Sequence, residues 1–329
     1  MSWTSLQQLG DVPATRSSHS LTTVGDKLFL FGGEQSSRTP VSSDMFCYHV
    51  ESMTWSKVTA GGLPPVPRVA HTAAAVGTSI YIFGGRTGME MGDGAMDDLW
   101  VFDTVTESWS QVSGATGDLP AKRSFHTMVA LGQKLYVFGG CGVVDRLSDM
   151  YEFDTQACKW TRLPTPDDMK ARGGSCLSVS SDGGSLHVMG GFNGNELDDM
   201  HRYDIAAATW AVVPPCGLPA RSVFGVGLHR CARDACAHAG HTLAFGGEVD
   251  PSTQGHSGAG DFSDALFCYD AGKGWHPIAA GGEAPCARGW FATATLGGNM
   301  LVHGGLDCAN ERLGDMFQLD MHAAPAAAH

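Results

Sequence analysis

Apolar residues occur along this chain in short runs of strand length, and a pair of glycines closes six of these runs. Short apolar or alternating runs bounded by glycine are typical of strands joined by tight turns. The six pairs are Gly32-Gly33, Gly84-Gly85, Gly139-Gly140, Gly190-Gly191, Gly246-Gly247 and Gly304-Gly305. The pattern predicts an all-β protein of short antiparallel strands.

Two further signals recur with the glycine pairs, at a period near fifty residues. A second apolar run follows each pair, often ending in Tyr-Asp or Phe-Asp, and a tryptophan comes a few residues later: Trp55, Trp109, Trp160, Trp210 and Trp275. A four-stranded sheet cannot bury both of its faces alone, whereas six such sheets packed around an axis cover one another. The repeat therefore predicts a six-bladed β-propeller with four antiparallel strands per blade.

The sixth repeat has no tryptophan of its own, because the chain ends soon after Leu319-Asp320. Trp3 precedes Trp55 by about one repeat period. We therefore predict that residues 1–10 supply the outer strand of the last blade and close the ring. The predicted organisation is one domain, residues 1–323, followed by a disordered tail, residues 324–329.

The glycine pairs, the aromatic-acid pairs and the tryptophans together resemble the kelch repeat over almost the whole chain. Two stretches, 248–260 and 288–313, further resemble the plant nitrile-specifier and thiocyanate-forming proteins and their non-specifier kelch relatives. In that family the propeller directs the breakdown of an aglucone released from a thioglucoside. The resemblance implies Fe(II) held by Glu, Asp and His spaced four apart, with arginines on neighbouring loops binding a sulfate-bearing substrate.

Carried onto this chain, the resemblance implies a metal site at Glu248 and His256, with Ser252 at the position where the family has aspartate. A serine hydroxyl is a poor ligand for a hard divalent ion, and Asp250 is the nearby carboxylate that could replace it. Arg86, Arg146 and Trp290 are the predicted ligand-binding residues.

Strand order places these residues on one face. With the strands of a blade lettered a to d from the axis outward, the d–a and b–c connections share a face, here called the upper face. The glycine pairs end strand b, and the arginines that begin strand a, among them Arg68 and Arg123, lie nearby. Long loops on one face of a repeat protein are typical of a binding surface.

Each candidate has a structural alternative. Glu248, Asp250 and His256 could form a solvated acidic loop, and Arg86 and Arg146 could pair with Asp97 or Asp149. The recurring Arg-x-x-His motifs and Asp-Asp pairs favour structural roles. A second metal site is conceivable in segment 229–241, which holds two Cys and three His, although their spacing is unusual for structural zinc.

Composition limits the partners. The formal charge of −13 argues against nucleic acid or an anionic membrane as the partner. No secretory signal or long apolar stretch is present, and the ten cysteines fit free thiols in a reducing cytoplasm. We expect a monomer or weak homodimer.

Two functions remain open. The first is binding of a small anionic molecule, with Fe(II) assisting a specifier-like lyase reaction. The second is a non-catalytic scaffold that binds a protein or peptide with the same loops, a common use of kelch propellers. No nucleophile motif, phosphate loop or His-Glu-x-x-His zinc motif is present.

Overall fold

The computed structural model describes residues 1–214, 217–228, 241–253 and 258–321. These residues form six antiparallel sheets arranged as a propeller, and no helix occurs among them. The predicted all-β, six-bladed fold is confirmed. Accordingly, the described part of the chain contains no helix with the length and apolarity needed to span a membrane.

Each blade has four main strands, a to d from the axis outward. Their bounds are: blade one, Ser20–Val24, Lys27–Phe31, Met45–His49 and Thr54–Lys57; blade two, Thr72–Val76, Ser79–Phe83, Leu99–Asp103 and Ser108–Gln111; blade three, Thr127–Leu131, Lys134–Cys141, Arg146–Asp154 and Lys159–Leu163; blade four, Cys176–Val179, Ser185–Met189, Met200–Asp204 and Thr209–Val212; blade five, Gly225–Leu228, Thr242–Phe245, Leu266–Asp270 and Gly274–Ile278; blade six, Ala292–Leu296, Asn299–Asp307, Arg312–Asp320 and Ser2–Ser5.

Short additional strands extend this frame. Leu9–Gly10, Thr116–Gly117 and Gly281–Gly282 add parallel pairings outside strand d of blades one, three and six, and Arg288–Gly289 pairs with strand b of blade six. Two small hairpins stand on the upper face: Glu34–Ser36 with Thr39–Pro40, and Glu248–Asp250 with Asp261–Phe262.

The N-terminal strand closes the ring, as predicted. Ser2–Ser5 pairs antiparallel with Arg312–Asp320, so that the first and last parts of the chain share blade six. Trp3 is buried and its ring centroid lies 5.1 Å from that of Phe245 in blade five. This strand therefore completes the sheet of blade six and also the contact between blades five and six.

The repeated tryptophans fill the spaces between blades. Three of them pack on a strand b aromatic of the preceding blade: Trp109 on Phe31 at 5.2 Å, Trp160 on Phe83 at 5.2 Å and Trp210 on Phe138 at 6.2 Å between ring centroids. Trp275 lies in a cluster with Met189 of blade four. Trp55 packs on His303 of blade six at 5.6 Å. Such tilted aromatic pairs add to the burial of large apolar surfaces.

The arginine before each strand a is buried and saturated by the frame. In blade two, Arg68 is fully buried and donates to the Gly84 carbonyl at 2.9 Å and to both carboxylate oxygens of Asp98 at 2.7 and 2.9 Å. The equivalent ion pairs are Arg123–Asp149, Arg172–Asp199 and Arg288–Asp315. The structural interpretation of these arginines and of the aspartates before strand c is therefore correct.

Two residues after each of these arginines, the backbone forms a closed ring around the axis. The backbone N–H of each of these residues donates to the carbonyl of the equivalent residue in the preceding blade. Ala70 N–H donates to the Ser18 carbonyl at 3.1 Å, and the ring closes where Ser18 N–H donates to the Trp290 carbonyl at 2.8 Å. All six members have φ between +46° and +64°. This axial ring consists of Ser18, Ala70, Phe125, Gly174, Val223 and Trp290.

The residue that follows each member of the axial ring lines the central channel. Its side chain also explains why glycine is needed at the glycine pairs. His126 of blade three packs against Gly84 of blade two, where an added Cβ would come within 2.9 Å of the imidazole Cε1. Phe291 packs against Gly246 in the same way, at 2.8 Å. Glycine is thus required because no space remains for a Cβ and because φ at Gly84 and Gly246 is positive.

Candidate functional site

The residue that follows each glycine pair occupies an equivalent place on the upper face. It bridges antiparallel to the residue after the buried arginine, as in Val69 with Arg86 and Ser222 with Glu248. The six positions hold Glu34, Arg86, Cys141, Phe192, Glu248 and Leu306. Arg86 of blade two and Glu248 of blade five therefore share one repeat position, on opposite sides of the axis.

A cavity of about 260 Å³ opens on this face. Its lining comes from blades three to five and from Trp290: Phe125, Cys141, Arg146, Gly173, Gly174, Phe192, Ser222, Val223, Glu248, Pro251, Ser252 and Trp290. Blade four contributes two consecutive glycines to this lining, Gly173 and Gly174, so blade four places no side chain in the cavity at these two positions. A narrower space of about 120 Å³ lies in the channel and shares Phe125, Gly174, Val223 and Trp290 with the cavity lining.

Arg146 supplies the cation that lines the cavity. It begins strand c of blade three, and its guanidinium carbon lies 4.8 Å from the centre of the Phe192 ring of blade four. The alternative ion pair with Asp149 does not form, because both oxygens of that carboxylate accept hydrogen bonds from Arg123. Arg146 is thus held by an aromatic ring that leaves its N–H groups for other partners.

Trp290 stands at the boundary between cavity and channel. It belongs to the axial ring with φ of 51°, and its indole meets Phe262 edge to face at 5.6 Å. The equivalent residue of blade three is Phe125, whose ring also lines the cavity. Two of the six axial-ring positions therefore carry aromatic side chains, and both contribute to the same cavity.

Arg86 lies apart from the cavity lining. It is fully buried, donates from Nη1 to the Glu90 carbonyl at 3.1 Å, and its guanidinium carbon lies 5.1 Å from the centre of the Phe125 ring. It forms no ion pair with Asp97, which is exposed. The structure thus places Arg86 next to Phe125, while Arg146, Ser252, Glu248 and Trp290 share the cavity.

The candidate metal ligands also differ in whether they lie in the cavity lining. Glu248 is buried and its carboxylate accepts backbone N–H groups of Ser252 and Gly260, while burial raises its pKa to about 7. Ser252 lines the cavity, whereas Asp250 is exposed and pairs with Asp261 across the hairpin. His256 lies outside the described residues, as do 229–240 of the Cys/His-rich segment.

The described candidate ligands fit Fe(II) poorly. No three His, Cys, Asp or Glu side chains converge as a metal site in the described part of the chain. Glu248 already serves as an acceptor for two backbone amides, and Ser252 offers only a hydroxyl. The described residues do not make a ferrous site without His256.

Several residues around the cavity were missed from the sequence. Phe192 and Cys141 line it, and Glu196 lies near Glu248 with neither carboxylate oxygen in a regular hydrogen bond. Burial, reinforced by the charges of Glu248 and Asp250, raises the pKa of Glu196 to about 8. Phe125 was identifiable, because it occupies the same repeat position as Trp290.

Comparison with known proteins gives a consistent picture. A family model described as the KLHDC2/KLHL20/DRC7 Kelch-repeats domain matches residues 18–247. A protein of Thlaspi arvense named N-(sulfonatooxy)prop-2-enimidothioate sulfolyase is 32% identical over 96% of this chain and 95% of its own length. Kelch domain-containing protein 3 of Bos taurus is 28% identical over 78% of this chain and 66% of its length. The leucine-zipper-like transcriptional regulator 1 homolog of Drosophila melanogaster is 24% identical over 98% of this chain but only 33% of its length.

Proposed function

This chain belongs to the kelch-repeat propeller family, and from that premise we propose that it binds a small organic anion in the upper-face cavity. The observation that carries the proposal is Arg146, whose guanidinium stacks on Phe192 inside a mostly apolar lining that also contains Glu248. A cation with available N–H groups binds a carboxylate, sulfate or phosphate group, and the aromatic walls pack on an apolar body.

The size and charge of the cavity narrow the ligand class. A volume of about 260 Å³ lies just below the range of pockets that hold drug-sized molecules, which favours a smaller ligand. The raised pKa of Glu248, about 7, means that this carboxyl group is partly neutral at physiological pH and repels an anion less than an ordinary glutamate would.

We further propose that the anionic group is a sulfate ester. The Thlaspi arvense relative, similar over nearly the whole of both chains, is named for a substrate with a sulfonatooxy group. Arg146 and Trp290 together suit such a molecule, because one side chain binds the charged end and the other packs on the organic part. Lysis of an organic sulfate of this kind is the reaction we propose to assay.

Calorimetric titration with phenyl sulfate tests the binding step. We expect Arg146→Gln to weaken binding at least tenfold, because the variant keeps a polar side chain but loses the guanidinium and its charge. Arg162→Gln is the matched control, since Arg162 is exposed on strand d of the same blade. Equal affinities of wild type and Arg146→Gln, or no binding by the folded wild type, would overturn the proposal.

A protein or peptide partner is the second candidate, and one observation favours it. Met89, Met91, Val143 and Val144 are exposed on upper-face loops of blades two and three, and these loops touch where Gly92 meets Val143. Exposed apolar side chains grouped beside a cavity are typical of an interaction surface. Replacing Met89 and Val144 by Ser would weaken the binding of a protein partner and leave the binding of phenyl sulfate unchanged.

A further inference from the structure

A cluster of three arginines lies on the upper face beside Phe125, outside the cavity lining. Arg38 comes from the small hairpin of blade one, Arg86 from blade two, and Arg312 begins strand c of blade six. They share a single buried carboxylate, that of Glu34, which lies 3.8 Å from Arg38 Nη1 and 3.4 Å from Arg312 Nη2. We call these four residues the arginine cluster.

The arginine cluster has more positive charge than its buried surroundings balance. Arg86 is fully buried, Arg38 is 5% exposed, and the side chain of Arg312 is 9% exposed. The other carboxylates near Arg86, those of Glu90 and Asp93, are exposed and form no ion pair with it among the described residues. Burial lowers the pKa of Arg38 to about 10, so this guanidinium stays charged at neutral pH.

Several N–H groups of these guanidiniums are also unused. Arg38 Nε, Arg86 Nε and Nη2, and Arg312 Nε are buried without a hydrogen-bond acceptor in the described structure. The bonds that are made go to Glu34, to Ser37 Oγ at 3.1 Å and to backbone carbonyls of Glu90 and Asn310. Buried charged donors without partners are costly and rare in native proteins.

The frame of the same molecule provides an internal comparison. Arg68, Arg123 and Arg288 are as deeply buried as Arg86, and each has a bidentate aspartate as well as backbone carbonyls. Arg16 and Arg221 donate to backbone carbonyls instead. Among the described residues, none of the six arginines before strand a has a buried donor left without an acceptor. The contrast indicates that the arginine cluster lacks an anionic partner from outside the chain.

Arg38 is also held in place at a conformational cost. Its φ is 59°, unusual for a residue with a side chain, and its backbone N–H donates to Glu34 Oε2 at 2.6 Å. Its guanidinium carbon lies 5.1 Å from the Phe125 ring, the same distance as that of Arg86. Two cations are thus fixed against one aromatic ring, an arrangement in which a bound anion would relieve their mutual repulsion.

We propose that the arginine cluster is a second anion site of the upper face, which binds a tetrahedral oxyanion group such as sulfate or phosphate. Guanidinium groups favour such oxyanions because their N–H groups match the oxygen geometry. The oxyanion is either a free inorganic ion or a group on a larger ligand that extends past Phe125. The site does not depend on the cavity binding its own ligand.

Calorimetry with inorganic sulfate and inorganic phosphate at constant ionic strength tests the proposal. We expect the wild type to bind one of them with a millimolar or lower Kd, and Arg38→Gln and Arg312→Gln each to lose at least tenfold in affinity. Arg162→Gln, exposed and distant, is the control. Binding of the inorganic ion should persist in Arg146→Gln, because Arg146 lines the cavity and not the arginine cluster. Failure of this inference and failure of the proposed function can therefore be distinguished.

A thermal readout guards against variants that fold poorly. Millimolar sulfate should raise the melting temperature of the wild type and of Arg162→Gln. The increase should be absent in Arg38→Gln. It should be reduced in Arg38→Lys, because lysine keeps the charge but lacks the planar guanidinium. Competition between phenyl sulfate and inorganic sulfate would show that the oxyanion belongs to a larger ligand; independent binding would identify a free ion. No binding by wild type, or equal binding by wild type and both glutamine variants, would overturn the inference.

Discussion

Replacing Trp290 is the sharpest test of the cavity, because the propeller itself supplies the control residues. The axial ring holds Ala70 at φ 53° and Phe125 at φ 52°, close to the 51° of Trp290. Both Trp290→Ala and Trp290→Phe therefore introduce residues that this backbone position already accommodates elsewhere in the chain. Loss of the edge-to-face contact with Phe262 should cost about 0.5–1.5 kcal/mol of stability in Trp290→Ala, in addition to the apolar burial lost with the indole.

The expected effect on binding follows from the area of the indole that faces the cavity. A ligand that covers about 60 Å² of it loses about 1.5 kcal/mol when the ring is removed, at ~25 cal/mol per Å². This corresponds to roughly a tenfold rise in Kd for phenyl sulfate in Trp290→Ala. Trp290→Phe should retain most of the affinity, since it keeps an aromatic face. A wild-type Kd for the alanine variant, or an equal loss of affinity in both variants, would contradict a role of the indole in binding.

Three further predictions concern the frame and the metal. Asp149→Ala leaves Arg123 buried without its carboxylate and should cost about 3–5 kcal/mol in urea unfolding, while the exposed Asp145→Ala should cost less than about 0.5 kcal/mol; similar costs would contradict the structural role. Burial lowers the pKa values of His71 and His303 to about 3. Below about pH 6.5 these histidines therefore take up protons in the unfolded chain but not in the folded chain. The free energy of unfolding should fall by up to ~1.4 kcal/mol per pH unit for each histidine as the pH is lowered. His71→Phe, the residue type at 224 and 291, should reduce that slope between pH 6.5 and 5, and an unchanged slope would show that His71 does not contribute. Ser252→Asp should raise Fe(II) affinity at least tenfold in anaerobic titration, because a carboxylate replaces a hydroxyl; no gain would remove position 252 from the ligand set.

Residues that belong to the repeat were interpreted correctly from the sequence. The glycine pairs, the inter-blade tryptophans and the arginines before strand a recur in a window of about fifty residues, and Trp3 continues that period. Each of them is required by local strand geometry and by contact with the neighbouring blade. The structural role of these arginines was predicted, but their pairing with aspartates was not. Residues that depart from the repeat were more difficult to interpret from the sequence. Trp290 was recognised as an unusual axial residue, but Phe125 at the same repeat position was not.

The six blades, their closure and the face on which the unusual residues gather can all be inferred from the repeat, because every blade has the same local chemistry. The grouping of these residues became visible in the folded molecule alone. Arg86 and Arg146 follow the same strand b in successive blades, yet one turns to Phe125 beside Arg38 and Arg312 while the other stacks on Phe192 in the cavity. The cavity itself is lined by residues of blades three, four, five and six. Side-chain direction and empty volume arise from contacts between loops of different blades, which are far apart in the chain and leave no periodic pattern in it.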